Sequence, residues 1–191
     1  MKLSESLGAK KPVAIYPGRF QPFGLHHFKT YKKLVNKFGK ENVYIATSDV
    51  VNEKSPFSFR DKKFIISKHG VPSSKIVKVK SPYKSEEIIS KLSSQTPVVF
   101  AFGTKDAGRL KKGKYFDLYN DSENMLPNSE KGYIYVLPHI SLKVQGNELS
   151  GTEIRSIFGS DLDEKNKKLL FKKIMGFYDN NIYSLFVSKL S

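Results

Sequence analysis

At 191 residues, 39% of them hydrophobic, the chain is long enough to bury one sizeable core and offers no break at which to divide it. Its 33 Lys and Arg against 18 acidic residues give a formal charge of +15, enough to draw phosphates, nucleic acid or acidic surfaces, although lysines spread along a chain are also what a solvated surface carries. The absence of cysteine excludes disulfides, thiolate metal sites and a cysteine nucleophile, and no apolar run approaches the roughly 20 residues of a membrane span.

Met1 to Lys11 is polar and basic and lacks the apolar core of a signal peptide, so a cytoplasmic protein with no membrane partner is expected. The run Val13-Ala14-Ile15-Tyr16, closed by Pro17-Gly18, reads as a buried first strand. From His27 onward Phe28, Tyr31, Leu34, Val35 and Phe38 recur at helical spacing until Gly39 stops them. Val43 to Thr47 is strand-like, and Ser58 caps a helix from Phe59 to His69, with Asp61 three residues on and Gly70 at its end. Lys75 to Val79 alternates as a strand, and Ser85 with Glu86 and Glu87 opens a helix carrying Ile88, Ile89 and Leu92. Pro97 to Gly103 is the most strand-like run of all; Tyr133 to Leu137 makes a fifth strand; Thr104 to Lys131 between them reads as a mobile loop or lid. Beyond Ser150, helices carrying Leu169, Leu170 and Ile174, then Ile182, Leu185, Phe186 and Leu190, are expected to cover the core.

Strands alternating with helices predict an α/β, Rossmann-like parallel sheet of about five strands, helices on both faces and a C-terminal helical extension. One domain over 1–191 is expected, with a core at 12–158 and C-terminal helices at 160–190. Ligands in such sheets sit beyond the carboxyl ends of the strands, where strand order reverses. The residues after Tyr16, Thr47, Val79, Phe102 and Leu137 are therefore the ones to search.

Gly18-Arg19-Phe20-Gln21-Pro22-Phe23-Gly24-Leu25-His26-His27 joins the first strand to the first helix. Its glycines let backbone approach a ligand, a helix start offers free N–H groups to an anion, and Arg19 and the histidines add charge or donors. A plain strand-to-helix turn would use the same residues. The segment resembles the signature of the HxGH nucleotidyltransferase superfamily, Gly-Arg-Phe-Gln-Pro-Phe-His-x-Gly-His. It matches through Phe23 and at His27, and departs where Gly24 replaces His or Thr and His26 replaces Gly. Ser150-Gly151-Thr152-Glu153-Ile154-Arg155 resembles the family's Ser-x-Thr-x-x-Arg block. Ser150 and Glu153 there also form a capping box, which leaves Arg155 unexplained. A weaker third similarity, Ser55-Pro56-Phe57-Ser58-Phe59-Arg60-Asp61, is to the Asn-Pro-Phe-Thr-x-x-Glu-Arg stretch of nicotinamide mononucleotide adenylyltransferases.

The resemblance implies transfer of a nucleoside monophosphate, AMP favoured, from a triphosphate to a phosphorylated metabolite such as nicotinamide mononucleotide. Pyrophosphate would be released with Mg²⁺ present. It implies that His27 hydrogen-bonds the phosphates at the reacting centre, that Arg19 binds phosphate, and that Ser150, Thr152 and Arg155 hold the β and γ groups. Gly18, Phe20 and Gly24 would border the nucleotide through backbone, and His26 is the candidate to replace the missing first histidine. Gly103-Thr104-Lys105-Asp106 follows the fourth strand where nucleotide should lie, so that Gly103 would border it and Lys105 or Asp106 would touch ribose, metal or acceptor; a solvent-facing turn is the equal alternative. If His27 must be protonated to help, activity should weaken as pH rises past its transition. Mg²⁺ leans on substrate phosphates, so no dedicated metal ligands are expected. With no Trp, an aromatic plane for a pyridine ring would come from Tyr or Phe. A CTP-dependent cytidylyltransferase and a non-catalytic nucleotide- or nucleic-acid-binding module are the alternatives. Nucleic acid is not the favoured partner, and a homo-oligomer is left open.

Overall fold

The computed structural model describes residues 11–121 and 124–190; of the basic Met1 to Lys11 stretch, all but Lys11 lies outside them. The central sheet is built from β1 (Val13–Pro17), β2 (Val43–Thr47), β3 (Ile76–Lys78), β4 (Val98–Gly103), β5 (Phe116–Leu118) and β6 (Gly132–Leu137), in spatial order β3-β2-β1-β4-β6-β5. Every neighbouring pair is parallel. The chain therefore builds outward from β1 to one edge and returns to β4 on the other side. The carboxyl ends of β1 and β4 flank the reversal, where a doubly wound sheet opens a crevice.

Side-chain alternation along the strands divides two apolar layers. Ala14 and Tyr16 of β1 and Val99 and Ala101 of β4 face one of them. That layer is filled by α1 (Leu25–Phe38), α2 (Phe59–Lys68), α4 (Gly151–Phe158), α5 (Glu164–Met175) and α6 (Asn180–Leu190). Val13, Ile15, Val98, Phe100 and Phe102 face the other, covered by Ile88 of the short α3 (Glu86–Ile89) and by Tyr83, Leu110 and Phe116. The α5 and α6 helices thus bury Phe171, Ile174, Ile182 and Phe186 in the main core. Leu169, by contrast, faces solvent. No helix among the described residues is long and apolar enough to cross a membrane.

Two local expectations need correction. Ser85 does not cap α3: its backbone is left-handed (φ 49°), and its hydroxyl donates to the Pro82 carbonyl instead. The helix stops at Ile89, before Leu92. The stretch after β4 is also more ordered than a plain loop. It forms a 3₁₀ segment, Thr104–Arg109, and then β5, which adds a sixth strand beside β6. Alternation is hard to see in a three-residue strand, so nothing in the sequence marked it. A two-stranded hairpin, β7 (Lys143–Val144) and β8 (Asn147–Glu148), turns through Gln145 and Gly146 at positive φ before α4 begins.

Candidate active site

Beyond the carboxyl ends of β1, β4 and β6 lies a cavity of about 400 Å³. Five cationic side chains line it, Arg19, Lys54, Lys105, Arg109 and Arg155, against two carboxylates, Asp106 and Glu148. Both acids are engaged: Asp106 accepts from Arg109 Nε at 3.3 Å, and Glu148 is shared by Lys105 and His139. Among the described residues neither Arg19 nor Arg155 has an ion-pair partner. Such a crevice focuses positive potential and is suited to a polyanion.

The loop from Gly18 to Gly24 is fixed by Gln21. Its buried side-chain amide donates to the Phe57 carbonyl at 2.8 Å and accepts from the Phe57 N–H at 2.9 Å. Its own carbonyl accepts from Arg155 Nη1 at 2.7 Å, across 134 residues of sequence. The three blocks picked out in the sequence therefore meet at one residue. Gly151 belongs to the same contact, because a Cβ there would stand 2.9 Å from the Gln21 carbonyl oxygen. At the start of α4 the Ser150 hydroxyl accepts from the Glu153 N–H at 3.2 Å and the Glu153 carboxylate accepts from the Ser150 N–H at 2.6 Å. This is the capping box expected there. Arg155, one turn on, donates its Nη2 to Thr152 Oγ1 at 3.1 Å. Burial, then the charge of Arg19, lowers the pKa of the Arg155 guanidinium, which stays charged at any working pH.

His27 sits one turn into α1 between aromatic walls. Its ring stacks on Phe23 at 5.3 Å and meets Phe20 edge-on at 5.2 Å. Phe20 itself lies at φ 49°, a strained conformation of the kind kept at functional loops. The Gly24 N–H donates to His27 Nδ1 at 3.1 Å, so the neutral ring carries its proton on Nε2. Burial, reinforced by the neighbouring His26, His69 and His139, holds the His27 pKa well below the ordinary imidazole value. In the free protein the neutral ring with a donor Nε2–H is thus the favoured form; the protonated ring expected from sequence was one held beside bound phosphate.

His26 lies against His27, with ring centroids 3.8 Å apart, and lines the same cavity. Its Nδ1 is buried without a partner, and its pKa is lowered to about 4, mainly by burial. Gly18, Phe20, Gly103, Asp106, Ser150 and Thr152 all border the cavity. Gly24 does not. It is the N-cap of α1, and a Cβ on it would approach the Ile174 carbonyl of α5 to 3.0 Å and the His26 ring to 3.3 Å. Alpha-helix α5 thus occupies the space that a larger side chain at position 24 would need.

Several lining groups were not foreseen. His139 follows β6 and bonds Glu148 Oε1 through Nε2 at 2.8 Å; it lies in the stretch after Leu137 that topology had flagged. Tyr83 stacks near-parallel on Phe102 at 6.0 Å and carries Arg109 over its ring at 5.7 Å. It is a tyrosine on the cavity lining.

Comparison with solved structures settles the architecture. Over 94% of this chain and 94% of the other, the protein is similar to a Plasmodium falciparum nicotinic acid mononucleotide adenylyltransferase complexed with NaAD, at a TM-score of 0.53 and 18% identity. The chain shares the fold of that structure. A second structure of the Plasmodium falciparum enzyme, complexed with APC, covers the same shares at a TM-score of 0.49 and 16% identity. No protein-family model and no curated protein matches the sequence. In this fold the reversal of strand order, the two Arg-bearing segments and the cavity coincide.

Proposed function

We propose that the protein is a nucleotidyltransferase of the HxGH type. It would move a nucleoside monophosphate from a triphosphate to a phosphorylated metabolite and release pyrophosphate. The observation that carries this is the bond from Arg155 to the Gln21 carbonyl. It holds the Arg155 guanidinium beside the loop that carries Arg19, and both side chains line the cavity that His27 also borders.

In the proposed reaction a phosphate oxygen of the acceptor attacks the α-phosphorus. The new P–O bond forms as the bond to the β-bridging oxygen breaks, and the electron pair leaves with pyrophosphate. No covalent enzyme intermediate is required, so the protein contributes position and charge. His27 Nε2–H donates to a phosphate oxygen at the reacting centre, while Arg19 and Arg155 take charge growing on the leaving group. Ser150 and Thr152 add donors at the α4 N-terminus, where backbone N–H groups already favour an anion. Asp106 and Glu148 are the carboxylates lining the cavity, and a Mg²⁺ arriving on the nucleotide would reach them only by displacing Arg109, or Lys105 and His139; such an ion would lean mainly on the phosphates. When bound, Mg²⁺ would neutralise the phosphate oxygens.

ATP is the favoured donor and a pyridine mononucleotide the favoured acceptor. They are supported by the likeness to the adenylyltransferase above and by Tyr83, which offers an aromatic face. The test is to incubate the purified chain with ATP or CTP, Mg²⁺, and nicotinamide or nicotinic acid mononucleotide or a sugar phosphate, and to measure pyrophosphate. Release that needs ATP and a pyridine mononucleotide supports the full reading. Release with CTP alone moves the assignment to a cytidylyltransferase, and no release with any pair, alongside salt-sensitive binding of nucleic acid, overturns it.

A further inference from the structure

Lys62 is a lysine on the buried stripe of α2, beside Ile65 and Ile66, and only 1% of it is exposed. Its ammonium has three N–H donors and meets three oxygens: Thr47 Oγ1 at 2.9 Å, the Arg19 carbonyl at 3.4 Å and the Ser48 carbonyl. Thr47, itself fully buried, donates its hydroxyl to the same Arg19 carbonyl at 3.4 Å. All three acceptors are uncharged, and among the described residues Lys62 makes no ion pair. The nearest acid, Asp49, spends its carboxylate on the Phe59 N–H and Lys78.

A buried charge without an ion pair is costly, and an apolar side chain of similar length would serve packing better. Burial brings the Lys62 ammonium down to about 8, so it is still mostly charged near neutral pH. Besides its closer partners Thr47 and Ser48, the lysine reaches the carbonyl of Arg19. It lines a second hollow with Arg19 and Gln21 but does not border the cavity itself.

We infer that Lys62 is a positioning residue: through Thr47 and directly, its ammonium fastens the Arg19 carbonyl and so sets the loop that aims Arg19 and Gln21 at an incoming polyphosphate. Gln21 then passes that placement to Arg155 through its own carbonyl. This rests on the proposed nucleotide-binding role of the cavity. It makes Lys62 responsible for order in the loop, whatever the acceptor.

The test uses the full chain carrying Lys62→Met, Thr47→Val or both. Four quantities are measured: ATP·Mg²⁺ affinity by calorimetry, kcat and KM for ATP, amide hydrogen exchange over residues 18–21, and the urea midpoint. Lys62→Met should raise the ATP KM and Kd at least about tenfold, with a smaller change in kcat, and should speed exchange in 18–21 relative to α4. Thr47→Val should move the same readouts in the same direction by less, and the double variant should fall short of additivity. A lower urea midpoint with unchanged KM, Kd and loop exchange would make Lys62 a core residue only and overturn the inference. If Lys62→Met does not fold, Thr47→Val decides alone, and unchanged KM and exchange in that variant overturn it equally. An unsubstituted chain that binds no ATP sinks the nucleotide reading, whereas the loop-exchange comparison still reports whether Lys62 holds the loop.

Discussion

Because Gly24 donates to Nδ1 of His27, the ring can donate from Nε2 without acquiring a charge. The pH dependence follows from this. With the His27 pKa held well below 6.5 in the free protein, its proton uptake should show an NMR midpoint under the ordinary imidazole range, and kcat/KM, which reports the free enzyme, should show no His27 transition between pH 6 and 8. A His27 midpoint near 6.5 would contradict the geometry. Arg155 gives a second prediction, since its planar fork serves Gln21 and Thr152 together. Lysine cannot reproduce that fork, so Arg155→Lys should cut transfer by roughly a hundredfold while its urea midpoint stays near that of the unsubstituted chain. Retention of full activity would remove Arg155 from the site. Arg19, His27 and Arg155 were picked out because the two blocks that carry them resemble family signatures, and all three line the one cavity. The role of Gln21 left no such signal, since its partners are backbone atoms of a loop 36 residues away. Lys62 did leave one, a lysine in step with Ile65 and Ile66 on an otherwise apolar stripe.

At the scale of elements, β1, β2, β3, β4 and β6 were readable because each is a short, largely apolar or alternating run bounded by Pro, Gly or a polar turn, whereas β5 and the β7–β8 hairpin were too short to show. Beta-strand β2 falls on Val43–Thr47 as the sequence indicates. Ser58 and Ser150 were readable as caps because an acidic residue follows three positions later, and both bonds are made. Ser85 is followed by Glu86 and Glu87 but has Ile88 three positions on, so it lacks the capping-box partner, and its backbone is left-handed. The approach of α5 to α1 was not legible, because it joins residues about 150 apart. It yields a prediction for the altered motif: restoring a side chain with Gly24→His or Gly24→Thr places a Cβ 3.0 Å from the Ile174 carbonyl. Either change should cost about 1–3 kcal/mol in urea unfolding and should not increase transfer. A variant as stable as the unsubstituted chain, with faster transfer, would show that α5 can yield.

For the molecule as a whole, buried histidines tie stability to pH. His69 is almost fully buried among Phe23, Phe28 and Phe177, with Nε2 unpartnered, and burial lowers its pKa to about 4, as it does for His26. Both groups bind protons more readily unfolded than folded. Their contribution is therefore complete above about 6.5 and is lost as pH falls through 4. The His69 shift from 6.5 to about 4 corresponds to roughly 3 kcal/mol at most, and His26, partly open to the cavity, contributes less. The histidine contribution to the urea midpoint should be level from pH 8 to 7 and fall steadily below pH 6, and His69→Leu should flatten that lower slope. A slope unchanged by the substitution would place the acid sensitivity elsewhere.

The central claim is that the first and last sequence blocks grip one polyphosphate. A crystal structure of the chain with Mg²⁺ and a non-hydrolysable ATP analogue tests it most directly. The account predicts phosphate oxygens within about 3 Å of both His27 Nε2 and the Arg155 guanidinium, with the β and γ groups over the α4 N-terminus. A triphosphate bound elsewhere, or reaching only one of those two side chains, would contradict it.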